Sequence, residues 1–133
     1  MMYPLYFDVV FKEIGQFYIK QDETLTLIGS VAFASNSLFK LITGIVLEIM
    51  PVKKVNCFIL AMMFVHIFTL EFALKNWASY MMSSIMIMGC EGAFVTLQAV
   101  IVMQQFGLRR GPEVYSYTLS AQAAAATLMT IFV

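Results

Sequence analysis

Ionisable and amide side chains inside long apolar stretches are the residues of this chain that could do chemistry. Glu91 lies near the middle of such a stretch, in Gly89-Cys90-Glu91-Gly92. An ionised carboxylate at the centre of a bilayer costs roughly 2.5 kcal/mol or more, so Glu91 must be protonated, paired or next to water. Two roles fit it: a carboxylate of a proton relay or substrate site, and a packing residue that hydrogen-bonds to a neighbouring helix. In so short a chain, the packing role is favoured.

Asn36, Lys40, Gly44 and Glu48 recur at intervals of four and therefore share one face of a predicted helix. Lys40 lies about 12 Å from Glu48 along the helix axis. The simplest interpretation is that its ammonium group extends to the membrane interface, and the alternative is an ion pair with a carboxylate of another helix. His66 is alone on an apolar helix, which is more typical of a packing residue than of a ligand.

Catalytic patterns are absent from the sequence. It has no phosphate-binding glycine loop, no His-Glu-x-x-His motif and no nucleophile elbow. One histidine cannot build a multi-histidine metal site. We therefore expect no catalytic residue, no metal ion, no cofactor and no enzymatic activity. With eight basic and eight acidic residues the net charge is zero, so no nucleic-acid partner is expected either.

Long apolar segments must position these residues. The 133 residues are 61% hydrophobic and 12% charged, whereas a soluble domain is about 45–50% apolar and about 25% charged. A helix that crosses a bilayer needs about 20 apolar residues, and four segments meet this requirement: 25–47, 55–74, 78–103 and 114–133. The sequence thus predicts an all-α integral membrane protein in which residues 25–133 form a bundle of four transmembrane helices in contact with the lipid bilayer.

Basic pairs in the breaks between the segments predict the orientation. Breaks are expected at 48–54, 75–77 and 104–113. Lys53 and Lys54 lie in the first break, and Arg109 and Arg110 lie in the third. Alternate breaks face the same side of a membrane, which the positive-inside rule makes the cytoplasmic side or its equivalent. The sequence does not choose between membranes, and the mitochondrial inner membrane is compatible with it.

Residues 1–24 form a separate N-terminal part of the chain. Asp8, Lys12, Gln16 and Lys20 recur at every fourth position, and Asp8 and Lys12 have the spacing of a favourable ion pair. One interpretation is an amphipathic helix in the membrane interface. The other is a partial helix, the end of a spanning helix whose polar stripe faces other helices or a cavity.

The stretch from Gly44 to Lys54 combines a glycine, an acidic residue four positions later and a basic pair. It resembles the signature loop of the major facilitator superfamily, with Glu48 for the usual aspartate and Pro51 where a glycine is expected. Residues 90–94 and 106–115 are similar to its tenth helix and following loop, closest to the monocarboxylate and oxalate/formate-like branch. Residues 11–30 resemble the end of helix seven and the start of helix eight.

The resemblance maps the chain onto the end of helix seven through helix eleven of a twelve-helix transporter. It implies secondary transport of small organic anions or metabolites by alternating access between two six-helix halves. The chain would then be a partial half bundle, which does not enclose a substrate path. The helix on which Glu48 would dock belongs to the half that has no counterpart here.

Three functional hypotheses follow. The favoured one is a shortened transporter-like protein that acts as a structural or accessory subunit of a larger membrane complex, with other membrane subunits as partners. The second is half of a secondary transporter that works only with a partner half and uses Glu91 and Lys40. The third is that the sequence is part of a longer carrier.

Overall fold

The computed structural model describes the backbone of residues 2–18 and 21–132, and the side chains of residues 7, 10–17, 21–128 and 131. The described part is all-helical, as the sequence predicts. Its helices are α1 (Met2–Tyr18), α2 (Asp22–Ile49), α3 (Val52–Ala73) and α4 (Trp77–Phe132). In length and composition α2, α3 and α4 can each cross a membrane, which is compatible with an integral membrane protein.

The first break is shorter than predicted, and the second is shifted by one residue. Only Met50 and Pro51 separate α2 from α3, because proline disfavours a helical conformation of the residue before it. Lys53 and Lys54 therefore lie in the first turn of α3 rather than in a loop. Residues 74–76 separate α3 from α4, and the Asn76 side chain accepts a hydrogen bond from the backbone amide of residue 78 at 3.2 Å, which caps the start of α4.

The predicted loop at 104–113 is wrong, because the chain stays helical there except at one residue. Gly107 has φ 72° and ψ 172°, a conformation that is essentially restricted to glycine. It divides α4 into a first arm (77–106) and a second arm (108–132). Arg109, Arg110 and Pro112 belong to the second arm, near its start, where few backbone amides have an intrahelical partner in any case.

The two arms of α4 lie side by side. The Gln122 side-chain amide donates a hydrogen bond to the Gln98 side-chain oxygen at 2.7 Å. Closer to the break, a methyl group added at Gly111 would lie 2.5 Å from the sulfur of Met103. The chain thus reverses at Gly107 and forms a helical hairpin.

The first arm runs parallel to α2 and antiparallel to α3. The Ser35 hydroxyl of α2 lies 3.0 Å from the carbonyl oxygen of Ile85, and the Thr96 hydroxyl lies 3.5 Å from that of Lys40, so the paired residue numbers rise together. The C-terminal ends of α2 and of the first arm therefore lie at one end of the bundle. Both basic pairs follow at that end, which we call the basic end.

One face of α1 packs inside the bundle. Phe7 and Val10 are almost fully buried, and the Tyr80 hydroxyl donates a hydrogen bond to the carbonyl of Phe11 at 2.5 Å. The ion pair of Lys12 is with Asp22 at 2.9 Å. The side chain of Asp8, its predicted partner, and the whole of Lys20 lie outside the described residues.

Candidate functional site

Two glycines of the first arm lie at a close contact with α2. A methyl group added at Gly92 would collide with the backbone carbonyl oxygen of Asn36. One added at Gly89 would lie 3.0 Å from the ring of Phe39. Because glycine has no side chain, the backbones of α2 and the first arm approach each other here more closely than any other residue would allow.

Asn36 and Glu91 meet at this contact. The Asn36 amide donates a hydrogen bond to a carboxylate oxygen of Glu91 at 3.4 Å, and Glu91 is only 9% exposed. Burial of a carboxylate requires such polar partners, since it otherwise loses the hydration of its oxygens. Glu91 is therefore buried at the contact between α2 and the first arm, with an amide of α2 as a polar partner.

Two hydroxyl groups extend the polar contact along α2. The Ser35 hydroxyl lies 2.6 Å from the carbonyl oxygen of Ala32 in its own helix and 3.0 Å from that of Ile85 in the first arm. The Thr96 hydroxyl lies 3.3 Å from the carbonyl oxygen of Gly92 and 3.5 Å from that of Lys40, so each hydroxyl shares its one proton between its own helix and the neighbouring helix. We did not single out either residue from the sequence. The available signal was weak: small hydroxyl residues inside apolar helices commonly hydrogen-bond across helix contacts, but many such residues only bond within their own helix.

The residues at intervals of four on α2 do not form one site; they are Asn36, Lys40, Gly44 and Glu48. Of their side chains, only that of Asn36 hydrogen-bonds to the first arm. The Lys40 side chain is exposed and forms no ion pair with any described side chain. Gly44 has open space around it, and Glu48 is exposed at the basic end.

The other signature-loop and basic-loop residues lie on the surface. Lys53 and Lys54 are exposed in the first turn of α3. Arg109 and Arg110 are exposed at the start of the second arm. The two basic pairs share the basic end of the bundle, as alternate breaks predict, but they are helical residues rather than loop residues.

His66 joins α3 to the first arm. Its Nε2 atom lies 2.7 Å from the Ser83 hydroxyl, and the ring is 4% exposed. The edge of Phe7 packs against it at a centroid distance of 5.5 Å. His66 is thus buried between α3 and the first arm and has a polar neighbour in Ser83.

A groove of about 590 Å³ runs beside this pair, between α3 and the first arm. His66, Thr69, Ser79 and Ser83 provide its polar lining, and the rest is apolar. Among the side chains that the structure describes, no three of His, Cys, Asp or Glu lie together as ligands for a metal ion.

Comparisons with protein-family models, with curated proteins and with solved structures found no match to this chain. The resemblance to the major facilitator superfamily therefore remains a prediction from the sequence.

Proposed function

We propose that this chain is a structural or accessory subunit of a larger membrane complex, shaped as a partial, transporter-like helix bundle. The observation that carries the proposal is the contact between Asn36 and Glu91. A carboxylate that serves transport must be reached by a proton or a substrate. Glu91 instead lies in a close helix contact, with a glycine beside it and a neighbouring amide bonded to it.

The other polar contacts support the same role. His66 and Ser83 join α3 to the first arm, and Gln98 and Gln122 join the two arms. Side-chain hydrogen bonds of this kind hold membrane helices together, since lipid offers polar groups no competing partner. These three polar pairs are accordingly used for assembly of the bundle.

In this proposal the chain crosses the membrane four times, with each arm of α4 as one crossing. A straight helix of 56 residues would be about 84 Å long, far more than the ~30 Å of a bilayer core. The reversal at Gly107 divides that length into two segments of suitable size. The four crossings would be α2, α3 and the two arms.

The outer surface of the bundle supports burial against lipid and partner subunits. On α3, four phenylalanines are more than 60% exposed: Phe58, Phe64, Phe68 and Phe72. On α2, Leu41 and Ile45 are 70% and 62% exposed. A soluble monomer rarely carries apolar surface of this extent.

Extraction in a mild detergent tests the proposal. The solubilised membranes are separated on a native gel, and the band that contains this chain is analysed by mass spectrometry. We expect a large assembly in which the chain is stoichiometric with unrelated membrane subunits. Recovery of the chain only as a monomer or a homodimer would overturn the structural role.

The groove beside His66 favours a second candidate, half of a secondary transporter for small organic anions or metabolites. It is a concave site with several hydroxyl groups and a histidine, and such sites bind small molecules. The test is substrate flux into vesicles in which this chain is reconstituted together with a partner half. This candidate requires that the flux is lost in Glu91→Gln and in Lys40→Ala. Flux that is unchanged in both variants removes these residues from any transport mechanism.

A further inference from the structure

The outer face of α2 carries a positive charge that no described side chain neutralises. Lys40 is exposed and has no ion pair among the described residues. Phe33, Ser37 and Gly44 lie seven and three positions before it and four positions after it, on the same side of the helix, and Leu41 is at the edge of this side. Phe33 and Leu41 are 49% and 70% exposed, and a methyl group added at Gly44 would meet no atom within 4 Å. We call these five residues the Lys40 face.

In the proposed membrane arrangement, the Lys40 side chain begins inside the apolar core. The 28 residues of α2 are about 42 Å long and extend about 6 Å beyond each boundary of a ~30 Å core, which places the Lys40 backbone about 8 Å inside the boundary at the basic end. In a helix the bond from Cα to Cβ points towards the N-terminus. The Lys40 side chain therefore leaves the backbone away from the nearer, basic end, and the other end of α2 is about 27 Å distant.

A charge held at this depth needs a negative partner that is also in the membrane. Within the chain, Glu91 already lies in the contact with Asn36 and is 9% exposed. Every other carboxylate whose side chain is described lies within five residues of the end of a helix or of an arm of α4. A second copy of the chain would therefore bring no available carboxylate of the described set to the level of Lys40. The nearer anionic lipid headgroups lie at the basic end, and the Cα–Cβ bond of Lys40 points away from that end.

We propose that the Lys40 face docks a transmembrane helix of a different subunit, and that this helix carries an aspartate or glutamate level with Lys40. The charge complementarity fixes the partner's chemistry. Ser37 and Gly44, which flank Lys40 on this face, are small enough for a second helix to approach. The inference rests on the proposed structural role and names the surface through which that role is performed.

Zero-length cross-linking tests the pairing directly. Membranes that contain the intact assembly are treated with dicyclohexylcarbodiimide, an apolar reagent that activates carboxylic acids. The neutral Lys40 amine attacks the activated acyl carbon, an amide bond forms, the amine loses a proton and dicyclohexylurea leaves. We expect peptide mass spectrometry to find Lys40 joined to an acidic residue of another polypeptide. A link to Glu91, or to a second copy of this chain, would overturn the proposal.

Variants of Lys40 give an independent test by native gel. We expect Lys40→Met to reduce the share of chain in the large assembly at least about tenfold, because it leaves the partner's carboxylate without a counter-charge. Lys40→Arg should retain assembly, and Lys54→Met, which removes an equal charge at the basic end, should have no effect.

The outcomes separate the two proposals. If Lys40 instead faces lipid, Lys40→Met only removes an unfavourable charge. The share of the chain in the large assembly then stays the same. This result overturns the docking proposal but not the structural role. If the unaltered chain runs without other subunits, the structural role fails as well.

Discussion

At the scale of single residues, Gly92 sets the distance between α2 and the first arm. The atom that an added methyl group would strike is a backbone oxygen of Asn36, which cannot move without shifting α2. The same substitution at Gly44 meets open space. Alanine brings the same gain in helix propensity at either glycine, but a steric collision only at Gly92. The difference between the two alanine variants therefore measures the effect of the collision.

We expect Gly92→Ala to lower the free energy of unfolding by about 1–3 kcal/mol relative to Gly44→Ala, which is the usual range for overpacking. Reversible unfolding of the purified chain in mixed detergent micelles, followed by circular dichroism, measures the difference. Gly44→Ala itself should be neutral or stabilising by up to about 1 kcal/mol. Equal effects of the two variants would mean that α2 and the first arm are not in close contact.

The pairing of Asn36 with Glu91 could be predicted only in part. An acidic residue inside an apolar stretch must have a partner or water, so the sequence identifies Glu91 as a residue that needs one. It does not identify Asn36, because the two residues are 55 positions apart on helices that are not consecutive. Their contact depends on the parallel packing of α2 with the first arm, which is a property of the tertiary structure.

At the scale of elements, hydropathy predicts the helices and not the form of the breaks. The ends of α2 and α3 differ from the predicted segments by three residues at most. The break between the arms was expected to span 104–113 because glycine, proline and arginine residues gather there. Composition marks where a helix ends, but not how many residues the reversal takes, and one glycine with positive φ is sufficient here.

Gly107 is accordingly the residue on which the helical hairpin of α4 depends. A β-branched residue at φ 72° and ψ 172° is strained by about 1–3 kcal/mol. We expect Gly107→Val to separate the arms. The test uses a chain that lacks its native cysteines and carries Gln98→Cys and Gln122→Cys, which a short bis-maleimide should cross-link. Adding Gly107→Val to this chain should reduce the yield of the cross-link several-fold.

Leu108→Ala provides the matched control for Gly107→Val. Leu108 is next to the break and 87% exposed, so its truncation alters neither the backbone conformation nor the packing. Its cross-linking yield should equal that of the parent. An undiminished yield in Gly107→Val would show that the arms are held together without the glycine.

At the scale of the whole molecule, the parallel course of α2 and the first arm brings both basic pairs to one end of the bundle. Four charges of the same sign at one end bias the orientation of a membrane protein more strongly than either pair alone. The opposite end contains the short connection between α3 and α4. If the second arm returns through the membrane, its far end therefore emerges beside the connection between α3 and α4. The side on which this far end lies thus shows whether the second arm crosses the membrane.

Labelling of single cysteines from one side of the membrane tests the number of crossings. We expect Lys54→Cys and Arg110→Cys to react with a membrane-impermeant maleimide from the same side of sealed vesicles. Asn76→Cys and Ile131→Cys should react only from the other side, because Ile131 lies about 35 Å along the second arm from its start, which exceeds the ~30 Å bilayer core. Labelling of Ile131→Cys from the side of Arg110 would mean that the second arm lies along the membrane surface. The bundle would then have three crossings, and the contact between Gln98 and Gln122 could not persist in the membrane.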